Sequence, residues 1–158
     1  MRILGIDPGM AIVGYSVLEI NGDEYELITS GSIRTSSSDP DGCRLAEIRG
    51  DMNSLIEQFK PEVASIEQLF FFKNLKTIIP VAQARGVIME ILSANKIPIY
   101  EYTPLVVKQT LTGYGRAEKS EVANMVKLTL GREDIPKLDD TVDSIAIAIC
   151  HARNLVCV

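Results

Sequence analysis

Histidine is nearly absent from this chain: 158 residues contain one, His151. That scarcity argues against a metal centre built on histidines and against a Ser-His-Asp triad. Cysteine is scarce too. Cys43, Cys150 and Cys157 are odd in number and lack metal-ligand spacing, which points to a reducing cytosol rather than a disulfide framework. No apolar run approaches the length needed to span a bilayer. Met1 to Asp7 is a short apolar stretch broken by charge, unlike a secretion signal, so a cytoplasmic protein with no membrane attachment is expected. Basic residues are outnumbered 16 to 21 by acidic ones, for a net charge of -5. The surface as a whole is therefore unsuited to non-specific nucleic-acid binding, although a local basic face is compatible with that total. With neither internal repeat nor linker, residues 1–158 read as one domain, large enough for a core without staples.

What is present organises itself around Arg2-Ile3-Leu4-Gly5-Ile6-Asp7-Pro8-Gly9. The apolar run predicts a strand buried on both faces, and Pro-Gly ends it. Ile12 to Glu19 reads as a second strand, Asn21-Gly22-Asp23 as a hairpin turn, and Tyr25 to Arg34 as the returning strand. A loop over Thr35 to Gly42 follows. Leu45, Ile48, Met52, Leu55, Ile56 and Phe59 recur at helical spacing, in a helix of about four turns. Val63 to Ile66 is a fourth strand, followed by Glu67. A helical pattern from Leu75 to Asn95 contains Pro80, so that helix either starts near Pro80 or is kinked there. Ile97 to Tyr102 is a fifth strand. Thr103-Pro104 starts a helix that fades in the glycine-hinged Thr112 to Gly115 loop. Further helices are expected over Glu118 to Leu130 and from Asp139 or Asp140 onward. Three antiparallel strands followed by alternating helices and strands predict an α/β fold, a five-stranded mixed sheet with helices on both faces.

Three acidic stretches stand at the ends of apolar segments: Asp7, Glu67, and the pair Asp140 and Asp143. Taken singly, each has a plainer role. Asp7 can cap a turn, Glu67 can be an exposed turn residue, and the aspartates can favour the positive end of a helix. That plainer role is the reading for Asp139. Asp140 and Asp143, three apart, share one face of a first helical turn, and Ile147 and Cys150 continue the Asp143 face into apolar territory. Read as one site, four converging carboxylates repel one another and call for cations. All-oxygen ligands select hard ions, Mg²⁺ or Mn²⁺. Two such ions roughly 4 Å apart would activate a water and stabilise the leaving oxygen of a phosphodiester.

The chain resembles the RuvC family, the bacterial Holliday-junction resolvases, over nearly its full length. The matching stretches begin with Gly5-Ile6-Asp7-Pro8-Gly9 and Gly14-Tyr15, then Ile66-Glu67-Gln68-Leu69-Phe70 with Lys73-Asn74. Gln83-Ala84-Arg85-Gly86-Val87 and Tyr102-Thr103-Pro104 with Val107-Lys108 follow. Gly113 to Lys119 and Asp140 to Ala146 complete the set, whose order and spacing are together highly specific. The resemblance implies a ribonuclease H-like fold and Mg²⁺-dependent cleavage of four-way DNA junctions, with Asp7, Glu67, Asp140 and Asp143 as catalytic and metal-binding acids. It further implies a homodimer that nicks two opposing strands symmetrically, leaving 5′-phosphate and 3′-hydroxyl ends, and work beside the branch-migration motor RuvA-RuvB.

The same resemblance puts Phe70 where the family carries an aromatic that stacks on bases, whereas Phe71 and Phe72 depart from the pattern and are read as core or dimer-interface residues. Lys108, Arg116 and Lys119 match or flank basic positions that would contact phosphates, with Lys73 and Arg85 as further candidates. Arg85, inside an apolar helix, has a structural reading as well. Two other classes share part of the pattern. An actin-like ATPase also opens on Gly-Ile-Asp but needs a second phosphate loop and domain, for which 158 residues leave no room. A ribonuclease H-like enzyme acting on RNA or hybrids is the closer competitor; the Gly113 to Lys119 run and the Phe70 position favour the junction enzyme.

Overall fold

The computed structural model describes residues 1–69, 75–137 and 139–155. Its sheet is built from β1 (Arg2–Asp7), β2 (Ile12–Asn21), β3 (Glu24–Arg34), β4 (Val63–Glu67) and β5 (Ile99–Tyr102), in the order β3-β2-β1-β4-β5. β1 pairs antiparallel with β2, and β2 with β3, while the β1–β4 and β4–β5 pairs are parallel. The hairpin is tight. Asn21 faces Glu24, and among the turn residues only Gly22 has a positive φ, 61°, as expected of a turn with glycine first.

Among the described residues, five helices cover the sheet: α1 (Asp41–Phe59) and α2 (Leu75–Ala94) on one face, α3 (Pro104–Thr112), α4 (Lys119–Leu130) and α5 (Asp139–Leu155) on the other. Strand alternation divides the core accordingly. Leu4, Ile6, Ala64 and Ile66 face Ile48, Met52 and Ile56 of α1 and Ala84, Ile88 and Leu92 of α2. Ile3 and Leu18 face Ile145 and Ile149 of α5, behind which lie Val107 of α3 and Val126 of α4. α5 is thus sandwiched between the sheet and two helices, and it is buried nearly all round. Arg153 ties the layers together, donating to the carbonyls of Thr110 and Leu111 at the end of α3 and to the Thr129 hydroxyl on α4.

Several boundaries differ from the sequence reading. α1 starts at Asp41, inside the expected loop. Pro80 lies within α2 rather than at its start. Placed early in the helix, it forgoes only the bond to the Lys76 carbonyl, while Ala84, Ile88, Ile91 and Leu92 anchor the rest. β5 starts at Ile99 because Pro98 has no donor for the ladder, although its carbonyl still accepts from the Ala64 amide at 2.9 Å. The Thr103-Pro104 start holds: Thr103 Oγ1 accepts from the Val106 amide at 3.2 Å, with proline in the first turn.

A candidate metal centre at the strand ends

Asp7 and Glu67 close the parallel neighbours β1 and β4. Ile6 pairs with Ile66, so the two carboxylates stand side by side one step beyond. Both belong to the set whose side chains face α5, with Ile3, Gly5, Val63 and Ser65. Ser65 Oγ donates to the Ile147 carbonyl of α5 at 3.3 Å. Glu67 is the last residue of its strand rather than the residue after it, which fixes its face.

The first turn of α5 brings Asp140 and Asp143 to the same place, and two glycines permit it. A Cβ on Gly14 of β2 would come within 2.0 Å of the Asp140 carbonyl oxygen, and one on Gly5 within 2.2 Å of that of Ser144. Only residues without a side chain allow α5 to lie this close to the sheet. Gly5 and Gly14 belong to the matching stretches, but no spacing rule announces that both sit beneath one helix.

The electrostatics show the acids acting on each other. Burial first, then the charges of Glu67 and Asp143, a hydrogen bond with Glu67 and the charge of Asp140 push the Asp7 carboxyl up to about 9. Burial also pushes Asp143 up, with Asp139 and Asp140 adding to the effect. Lys119, first residue of α4, opposes this: its ammonium lies 3.5 Å from Asp143 Oδ2 and 3.2 Å from Asp139 Oδ2. Burial lowers the Lys119 pKa, but Asp143 and Asp139 outweigh it and the net shift is upward. The two ion pairs thus lift the lysine without overcoming the burial of Asp143.

Among the described residues, no three His, Cys, Asp or Glu side chains are already drawn into a ligating set. The donor chemistry nevertheless fits a hard cation. Four oxygen-donor side chains are electrostatically linked, one of them forced to keep its proton, and Lys119 offsets only part of their charge.

Beside the acids runs a groove lined by Glu67, Asp143, Lys108 and Lys119, with Val107 and Val122 in its wall. Lys108 and Lys119 therefore stand beside the carboxylates in the groove. Arg116 is exposed in the α3–α4 segment and is not among the groove's described lining. Phe70 and Lys73, with Phe71 and Phe72, lie outside the described residues. Arg85 is half-buried and faces β4 and β5, where it pairs with Glu101, so its reading as a free phosphate contact is replaced by a structural one. His151 is buried on α5, with Tyr102 Oη 2.8 Å from its Nδ1 and burial lowering its pKa. It belongs to the core.

A mixed five-stranded sheet with carboxylates at the ends of β1 and β4 and on the helix crossing them defines the ribonuclease H-like class of α/β folds. The family model "Crossover junction endodeoxyribonuclease RuvC" matches residues 3–151, and the chain belongs to that family of nucleases. The protein of that name from Caldicellulosiruptor saccharolyticus is 50% identical over 152 residues, 96% of this chain and 92% of its own. Its namesake from Halothermothrix orenii is 51% identical, across 98% and 93% of the two chains. Among solved structures, Thermus thermophilus RuvC in complex with a Holliday junction substrate superposes with a TM-score of 0.92 at 31% identity, covering 98% of this chain and 94% of that one.

Proposed function

We propose that residues 1–158 form one nuclease unit that resolves Holliday junctions by metal-dependent hydrolysis of DNA phosphodiesters during recombination and repair. The observation carrying this reading is the convergence of Asp7 and Glu67, at the ends of paired strands, with Asp140 and Asp143 at the start of α5, where burial and the neighbouring acids push the Asp7 carboxyl up, in a chain of the RuvC family. An acid held so far from its ordinary value beside other acids is a place for cations. Asp7, Glu67, Asp140 and Asp143 would hold two Mg²⁺ ions, with Mn²⁺ as a substitute. Bound there, these ions would supply water activation and neutralise charge on the leaving oxygen, giving 5′-phosphate and 3′-hydroxyl ends.

The remaining residues bind and orient. Lys108 and Lys119 line the groove where the scissile phosphate would lie, and their contacts position the strand without reading bases. On binding, Lys119 would exchange its aspartate partners for phosphate, leaving Asp143 free to ligate. Arg116 and Lys73 are further phosphate contacts, and Phe70 is the stacking aromatic at the opened junction centre.

The working form is a homodimer in the cytoplasm, with RuvA-RuvB as the motor that delivers junctions. α2 supports the dimer. By length and composition this helix is apolar enough to cross a membrane, contrary to the sequence expectation, yet only 22% of Lys76–Ala94 is buried, and Ile79 is 63% exposed. A second copy of this chain would cover that face and set two active sites on opposing strands.

The test is cleavage of an end-labelled four-way junction with and without Mg²⁺, beside linear duplex and RNA-DNA hybrid. Paired symmetric nicks confined to the junction are expected. Cutting of the hybrid instead would retain the metal site and discard the substrate.

A further inference from the structure

Arg85 sits in the middle of a mostly apolar helix, its side chain only 15% exposed. A guanidinium stays charged and needs acceptors where it is buried. Its acceptors come from two different strands. Nη2 donates to Glu101 Oε2 on β5, and Nε donates to the main-chain carbonyl of Glu67 at 3.4 Å. Glu67 is also held from the β5 side, where it pairs with Tyr102 and the following Gln68 amide donates to the Tyr102 carbonyl at 2.8 Å. β4 ends at Glu67, so these bonds fix the final peptide of the strand.

The two strands separate the roles. Ile99 packs with the α1 and α2 core, and Glu101, two residues on, shares that face. The Glu67 carboxylate points the other way, toward Asp7 and α5. Arg85 thus grips the Glu67 backbone from behind while the side chain faces the acids. An ion pair this enclosed is weak evidence of a gain in stability, since apolar residues fill such a space as well. Its bond to the peptide of a carboxylate-bearing residue gives it another purpose.

We infer that Arg85 is a positioning residue: by clamping the Glu67 peptide and anchoring to Glu101, it sets the aim of the Glu67 carboxylate at Asp7. The inference rests on the metal-cluster reading above and adds a residue to its support. Rotation of an unclamped terminal peptide would swing the carboxylate by about 1 Å, the scale at which a ligand set becomes too loose to work. Partners that orient ligands from behind are worth about 10- to 100-fold in metal affinity or activity.

The experiment compares wild type, Arg85→Gln and Arg85→Lys as full-length chains. Mn²⁺ binding to the DNA-free protein is followed by titration calorimetry, junction affinity in Ca²⁺, and single-turnover cleavage in Mg²⁺. Arg85→Gln is expected to weaken Mn²⁺ binding and slow cleavage by about 10- to 100-fold with junction affinity unchanged. Arg85→Lys, which keeps the charge but cannot span both acceptors, is expected to fall between. A folded Arg85→Gln protein with wild-type Mn²⁺ affinity overturns the inference. So does a loss of junction affinity with Mn²⁺ binding intact, which would make Arg85 a phosphate contact. Should Arg85→Gln not fold, Glu101→Gln loosens the anchor alone: weaker Mn²⁺ binding upholds the inference and unchanged binding overturns it. A wild-type protein that binds Mn²⁺ but leaves junctions uncut refutes the resolvase reading, while the Mn²⁺ comparison still decides the role of Arg85.

Discussion

At the scale of single residues Asp7 matters most, because its carboxyl titrates at about 9 in the fold against an ordinary 3.8. Between those pH values the folded chain keeps a proton that the unfolded chain has released. Its contribution to stability is therefore fully present below 3.8 and is lost as pH rises toward about 9. A divalent cation must displace that proton. Calorimetry at pH 7 in buffers of different ionisation enthalpy is expected to show one proton released on Mn²⁺ binding, with affinity rising about tenfold per pH unit up to that value. No buffer dependence would mean that Asp7 is already ionised or is not a ligand. The same repulsion predicts that Asp7→Asn raises stability in EDTA at pH 8 by about 1 kcal/mol and abolishes the rise in Tm that Mn²⁺ gives the wild type. A lower Tm in EDTA would count against mutual repulsion among the acids. Asp7 and Glu67 were legible as candidates because each ends an apolar strand, and Asp140 and Asp143 because they share a face at the start of a helix. Arg85's partners were not, since bonds to residues 16 and 18 positions away leave no periodic trace.

At the scale of elements, the decisive contact is α5 on the sheet. Gly14→Ala drives a methyl into the Asp140 backbone. It is expected to cost about 1–3 kcal/mol in urea denaturation, the range for overpacked cores, and to weaken Mn²⁺ binding by shifting Asp140 and Asp143. Gly50, inside α1, has nothing within 4 Å of the place a Cβ would take, and Gly50→Ala is expected to add about 0.4–1 kcal/mol. Equal effects from the two would show that α5 does not ride on Gly14. Strand order and the Thr103-Pro104 helix start were readable because turn chemistry and alternation are local. Whether the helix starts at Pro80 or runs through it, and how closely α5 approaches, were not, since both depend on what packs against them. Periodicity says which face of α5 is apolar, but not how close that face comes to β2.

At the scale of the whole molecule, Ile79 on α2 stands 63% exposed, and a second copy of the chain is its proposed cover. Ile79→Glu is expected to give a monomer by light scattering that still binds Mn²⁺ but no longer nicks two strands in concert; a dimer of unchanged mass would move the interface elsewhere. Acids from β1, β4 and α5 are proposed to make one metal site. Its most direct test is single-turnover junction cleavage by Asp7→Asn, Glu67→Gln, Asp140→Asn and Asp143→Asn, with junction affinity measured alongside without metal. Each variant is predicted to bind the junction as tightly as wild type and to cut it slower by at least about 3 kcal/mol in barrier, on the order of a hundredfold or more. A variant of any of the four that cuts at the wild-type rate would contradict that claim.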